Sequence, residues 1–170
     1  MRTVGQAGQA MTPALDKTRD DTEAFERFVD EVGPRLARAL AAAYGFEDGQ
    51  DATAEALAYA WQHWPQLQDI TNLPGYLFRV GQSYSRRRRP QALFDLGLDK
   101  SDDYSFEPGL PKALAALSPR QRLAVVLVHG YSYTLREVAE LTGIRPTTVQ
   151  NHLDRGLARL RGLLGADDEH

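Results

Sequence analysis

Apolar side chains recur at steps of three and four residues along most of the chain, the period of an amphipathic helix and not the alternation of a strand. Phe25, Phe28, Val29, Val32, Leu36, Leu40 and Tyr44 form the first stripe, interrupted by Gly33-Pro34, where the pattern predicts a kink or a division. After a turn over Gly45 to Gln50, a second stripe of Ala54, Leu57, Ala58, Trp61 and Trp64 stops at Pro65. A loop from Pro65 to Asn72 leads to a third stripe, Leu73, Leu77, Val80 and Tyr84, which ends in the basic run Arg86 to Arg89.

Beyond Pro90 the periodicity fades, and residues 90–111 hold five acids, Asp95, Asp99, Asp102, Asp103 and Glu107, among helix breakers. Such a stretch reads as a flexible acidic linker. Punctuation then sharpens. Ser118-Pro119-Arg120-Gln121 places a capping serine, a proline at the first helical position and a glutamine at the third before Leu123, Val126 and Leu127. Thr134-Leu135-Arg136-Glu137 is a second capping box and opens a short helix, Leu135 to Leu141. Thr142-Gly143 breaks it, and Pro146 starts another helix whose apolar face is Val149, Leu153, Leu157 and Leu160.

Two helices with a tight glycine turn between them make a helix-turn-helix. Ala139 permits close approach, Gly143 supplies the turn, and Val149 with Ile144 and Leu153 locks the second helix onto the first. An ordinary core hairpin needs the same residues. It does not need the outer face of the second helix, where Thr147, Gln150, Asn151 and Arg155 are suited to base edges, and Arg145, Thr148 and His152 to the phosphate backbone.

Composition and charge refine this picture. The chain has 170 residues, 42% of them hydrophobic, enough for one domain or two small helical ones. It has no cysteine, so neither disulfides nor thiolate metal sites support it, and a cytoplasmic home is the default expectation. The uncharged run Val4 to Leu15 is broken by Gln, Gly, Thr and Pro, so neither a signal segment nor membrane insertion is expected, and residues 1–20 read as a disordered leader. The net charge of minus 3 conceals an asymmetry, because residues 112–166 carry eight basic and three acidic side chains. The positive charge therefore gathers around the helix-turn-helix.

The segments Leu117-Ser-Pro-Arg-Gln-Arg and Tyr133 to Arg161 resemble the region-four domain of extracytoplasmic-function (ECF) sigma factors of bacterial RNA polymerase, which reads the upstream, minus-thirty-five element. Asp51-Ala-Thr-Ala-Glu-Ala-Leu-Ala-Tyr-Ala-Trp61 resembles the family's region-two helix, with Asp51, Glu55, Ala60 and Trp61 matching, and Leu73 to Val80 resembles the segment entering its promoter-melting helix. The resemblance spans roughly residues 22–165. Where the family usually has glutamine, a basic residue and Ala-Arg-Asn, this chain has Ala54, Tyr59 and Gly81-Gln82-Ser83.

The resemblance implies an all-α fold of two small helical domains, a region-two-like unit over 21–89 and a region-four-like unit over 112–166, joined by the linker 90–111 and followed by an acidic tail, 167–170. It implies core RNA polymerase and promoter DNA as partners, with an anti-sigma protein as a further candidate. Asp51 and Glu55 would grip the polymerase. Trp64, Asn72, Tyr76, Arg79, Tyr84, Arg86 and Arg87 would meet the minus-ten strand, for which aromatic faces beside cations are suitable chemistry. Helical spacing also allows Trp61 and Trp64 to be core residues, and the arginine run to be a solvated helix end.

No catalytic role is expected. His63, His129, His152 and His170 lie far apart in sequence without partners at metal-ligand spacing, no glycine-rich phosphate loop occurs, and no cofactor is implied. Two other classes fit the helix-turn-helix: a stand-alone regulator that dimerises on a symmetric operator, and a helical adaptor that has lost DNA binding.

Overall fold

The computed structural model describes residues 12–87 and 109–167, all of whose regular elements are helical. α1 (Thr12–Tyr44), α2 (Phe46–Gln62), the short α3 (Trp64–Leu67) and α4 (Leu73–Arg87) make the N-terminal unit. α5 (Leu110–Ala115), α6 (Pro119–Val125), a π-helical turn (Val126–Gly130), α7 (Leu135–Thr142) and α8 (Pro146–Asp167) make the C-terminal unit. The all-α expectation holds. Most of the expected linker lies outside the described residues, and its end, Leu110 and Pro111, already belongs to α5.

α1 is one continuous helix of 33 residues, so the expected break at Gly33-Pro34 does not divide it. Proline removes one backbone hydrogen bond and crowds the preceding turn. Val32 and Leu36 on either side are buried, and that anchorage holds the helix through the defect. The helix also reaches back into the expected leader, starting at Thr12. Polar contacts support this early stretch: Arg19 pairs with Glu23 one turn on at 3.2 Å, and Gln68 donates to the Asp21 carboxylate at 3.0 Å.

α2 turns a different face inward from the one its largest apolar residues suggest. Ala52, Ala56 and Ala60 are buried, whereas Ala54, Ala58 and Trp61 are exposed. The cause is the close approach of α1 and α2. A Cβ placed on Gly49 would lie 2.4 Å from the Ala41 backbone, so only glycine fits at that point, and the buried residues that follow on α2, Ala52, Thr53, Ala56 and Ala60, are all small, as are Ala39, Ala42 and Ala43 of α1. α4 packs across α2, with Leu77 and Phe78 buried.

Both capping boxes form. Ser118 Oγ accepts from the Gln121 N–H at 3.3 Å while the Gln121 side chain accepts from the Ser118 N–H at 3.2 Å. Replacing Ser118 with alanine is expected to cost about 1 kcal/mol by releasing one orphan helix donor, read as a lowered urea midpoint with an unchanged slope.

Candidate nucleic-acid interface

In the C-terminal unit, the Thr134 hydroxyl accepts from the Glu137 N–H at 3.2 Å and the Glu137 carboxylate accepts from the Thr134 N–H at 2.8 Å, which starts α7. Those hydrogen bonds from Thr134 hold the Glu137 carboxyl below its usual pKa. Its capping contribution is therefore present above the ordinary glutamate pKa and is lost as pH falls through the depressed one. α7 stops at Gly143, whose φ of 71° is left-handed and whose N–H donates to the Ala139 carbonyl at 2.9 Å. Val138, Ala139, Val149 and Leu153 are buried between α7 and α8, as the sequence pattern requires.

This packing leaves one side of α8 outward. Arg145, Thr147, Asn151 and Arg155 are exposed there, and Thr148 and Gln150 are half-buried. Gln150 donates to the Asp154 carboxylate at 2.7 Å. The sequence reading passed over Asp154, although its (i, i+4) spacing from Gln150 was visible. His152 faces elsewhere: it lines a cavity with Phe78, Gln82 and Leu123, and its Nε2 has no partner. Burial, with the charges of Arg120 and Arg155, lowers its pKa and favours the neutral ring, which is poorly suited to a phosphate.

The residues expected at the minus-ten strand are less uniform. Trp64 is 6% exposed, its ring 5.1 Å from Phe25 and 5.3 Å from Phe28, so it is a core residue with no free face for a base. Tyr84 is half-buried against the core. Arg79 and Arg86 are exposed, and Arg87 is the last residue of α4. The Asn72 side chain accepts from the Gly75 N–H at 3.0 Å, opening α4, and donates to the Glu140 carbonyl of α7 at 2.8 Å.

Tyr76 and Tyr59 share a hydrogen bond at 3.0 Å between their hydroxyls, which raises the Tyr76 pKa and keeps it a neutral phenol. Tyr59 also stacks on His63, with ring centroids 4.2 Å apart and planes 23° from parallel. Tyr59 and His63 thus extend the aromatic surface beside α4. Their one-turn spacing on α2 was legible, but Tyr59 was noted only as a departure from the family's basic residue.

Asp51 and Glu55 lie one turn apart on α2, and both are exposed. Among the described residues no group of three or more His, Cys, Asp or Glu is placed to hold a metal ion. No helix among them is long and apolar enough to cross a membrane.

Residues 109–160 match the family described as sigma-70, region 4. The chain is 31% identical over 134 residues to the RNA polymerase sigma-E factor of Streptomyces coelicolor, covering 71% of this chain and 74% of that protein. It is 25% identical over 171 residues to the ECF RNA polymerase sigma factor EcfG of Rhodopseudomonas palustris, covering 92% and 91% of the two chains. Its fold is similar to that of the sigma factor RpoE of Bartonella quintana, solved in complex with the anti-sigma factor NepR, with a TM-score of 0.60, 20% identity, and coverage of 85% of this chain and 99% of that one. The two sequence relatives are named as RNA polymerase sigma factors, which disfavours the stand-alone regulator, and the chain belongs to the ECF sigma factors of bacterial RNA polymerase.

Proposed function

We propose that α8 reads the upstream promoter element through Thr147, Gln150, Asn151 and Arg155, with Arg145 and Thr148 on the phosphate backbone. The observation that carries this reading is the exposed polar face of α8, presented by a helix-turn-helix in which both ends of α7 are capped and the Gly143 turn is formed. Gln150 exchanges its bond to Asp154 for a base edge, and the carboxylate left behind disfavours a neighbouring phosphate, which sharpens selection. Asn72, Tyr76, Arg79, Arg86 and Arg87 hold the minus-ten strand, the aromatic rings stacking on unpaired bases and the guanidinium groups neutralising phosphates. Asp51 and Glu55 bind core polymerase.

The chain supplies recognition, and the chemistry of initiation belongs to the polymerase. It works in the cytoplasm, where polymerase and chromosome meet. An anti-sigma protein is a natural regulator, supported by the fold's likeness to a sigma factor solved with one.

Run-off transcription with core polymerase and a promoter library tests the reading, and the expected result is a set of transcripts that appear only when this chain is added. Arg155→Ala is expected to lower upstream-element discrimination by about 1–3 kcal/mol, or roughly 5- to 150-fold. Glu55→Ala is expected to weaken polymerase binding and leave promoter preference unchanged. Absence of new transcripts together with failure to comigrate with core enzyme would overturn the assignment.

A further inference from the structure

Tyr59 stands on α2 at the position where the family usually carries a basic residue. A cation there would be free to meet a phosphate. Tyrosine gives up that charge, so its contribution to a bound strand has to come from its ring or from what its hydroxyl holds.

Both are committed within the N-terminal unit. The Tyr59 hydroxyl shares a hydrogen bond with that of Tyr76 on α4 at 3.0 Å, with the ring centroids 6.2 Å apart and the planes tilted by 41°. One face of Tyr59 is covered by His63, with centroids 4.2 Å apart and planes 23° from parallel. His63 is itself fixed twice to the residue it covers. Its backbone N–H donates to the Tyr59 carbonyl at 3.1 Å, and its ring Nδ1 lies 2.9 Å from the same oxygen. A carbonyl oxygen only accepts, so Nδ1 carries the proton and donates, and the ring cannot turn without losing that bond. Trp64 follows directly, buried in the core, and pins the chain where α2 ends. Tyr59 is thus held by its own helix and by His63, and offers one fixed hydroxyl to α4.

Tyr76 is the less constrained partner. It is half-buried on α4, and the exposed Arg79 stands three residues on, on the same side of the helix. The Arg79 charge opposes the rise in the Tyr76 pKa that the Tyr59 bond and burial produce, so the cation lies within electrostatic reach of the phenol. A tyrosine has two side-chain torsions to fix before a base can stack on its ring, and freezing a side chain on binding costs about 2- to 12-fold in affinity. A ring tethered at its hydroxyl as well as at Cα has its direction set in advance. Preorganisation of this kind raises affinity without adding a contact to the ligand.

We infer that Tyr59 is a positioning residue for minus-ten recognition: acting through Tyr76 and not on the base itself, its hydroxyl holds the Tyr76 ring at the angle on which an unpaired base stacks, with His63 bracing Tyr59. The inference rests on the proposed placing of Tyr76 at the minus-ten strand.

The test uses the full chain bound to core polymerase, and a fluorescent single-stranded oligonucleotide carrying the minus-ten strand of a promoter that the chain directs in run-off transcription. Tyr76→Ala is expected to weaken oligonucleotide binding about 5- to 150-fold, the cost of one lost stacking partner. Tyr59→Phe keeps the ring and its stack on His63 and removes only the hydroxyl, and the expected loss is about 2- to 12-fold. Tyr76→Phe breaks the same bond from the other side and should lose a similar amount, and in that background Tyr59→Phe should add nothing. Carbon-13 NMR titration of the tyrosine rings in the free protein gives a second readout: Tyr59→Phe should bring the Tyr76 pKa down toward its ordinary value.

A residue that merely joined α2 to α4 would lower the urea midpoint and spare the oligonucleotide in protein that is still folded. Unchanged oligonucleotide affinity in folded Tyr59→Phe, a loss that persists in the Tyr76→Phe background, or an unmoved Tyr76 titration would each overturn the inference, while the minus-ten placing of Tyr76 stands as long as Tyr76→Ala weakens binding. An unchanged affinity in Tyr76→Ala would overturn that placing, and the inference with it.

Discussion

Gly49→Ala is expected to lower unfolding stability by about 2 kcal/mol or more, although helix propensity alone predicts a gain of about 1 kcal/mol for replacing glycine inside a helix. Its new methyl group would lie 2.4 Å from the Ala41 Cα and N and 2.8 Å from the Leu40 carbonyl carbon. Non-bonded carbons rest at about 3.5–4.0 Å, and backbone atoms cannot swing aside as a side chain end can. α1 and α2 would have to separate by about 1 Å along a face lined with alanines, loosening Ala39, Ala42, Ala43, Ala52, Ala56 and Ala60 together. A domain has only about 5–15 kcal/mol in total, so the loss should be plain in urea unfolding followed by circular dichroism. An unchanged or raised midpoint would show that the helices do not approach so closely. The opposed signs of propensity and packing make this a sharper test than a large-to-small core substitution.

Arg122→Met is expected to have a comparable or larger effect, about 3 kcal/mol, for a different reason. The side chain keeps its apolar stem and loses every donor, so the carbonyls of Ala42, Ala43, Leu114, Ala115 and Leu117 lose their shared partner. Each buried acceptor left unsatisfied costs about 1–3 kcal/mol, offset where water enters. Arg122→Lys should recover only part of the loss, because an ammonium lacks the planar fork that reaches several carbonyls at once. Burial lowers the Arg122 pKa from its ordinary value to about 10. The unfolded chain therefore holds the proton more tightly, and linkage from this group makes stability rise with pH only above about 10. At neutral pH the group is charged in both states, so the loss in Arg122→Met should be independent of pH between about 6 and 9. A loss that varied strongly over that range would mean that a different group is responsible.

Much of the C-terminal unit was legible in the sequence because its signals are local. A capping box needs residues three apart, and both boxes form as read. Gly143 adopts the left-handed conformation that a helix-turn-helix turn requires, and the outward polar face of α8 follows from the buried positions of Val149 and Leu153. In the N-terminal unit the large apolar residues of α1 were placed correctly, with Leu36 and Leu40 fully buried. The inward face of α2 was misread, because hydrophobicity ranks tryptophan and leucine above alanine while close helix packing ranks them the other way. Trp64 shows the complementary limit: an aromatic ring suitable for base stacking is equally suitable for a core, and only the flanking Phe25 and Phe28 decide which.

The sequence by itself determined the helical character, the two capped starts, the helix-turn-helix and the family, since each depends on spacing within a few turns of one helix or on a motif read along the chain. Tertiary structure alone decided which face of α2 is buried, that His152 turns toward a cavity, that Tyr59 pairs with Tyr76, and that Arg122 and Asn72 finish helices in the opposite unit. Arg122 and Ala42 are 80 residues apart, and Asn72 and Glu140 are 68 apart. No periodicity within either segment encodes such a pairing, because an unsatisfied helix end accepts whatever suitable donor the assembled fold brings to it.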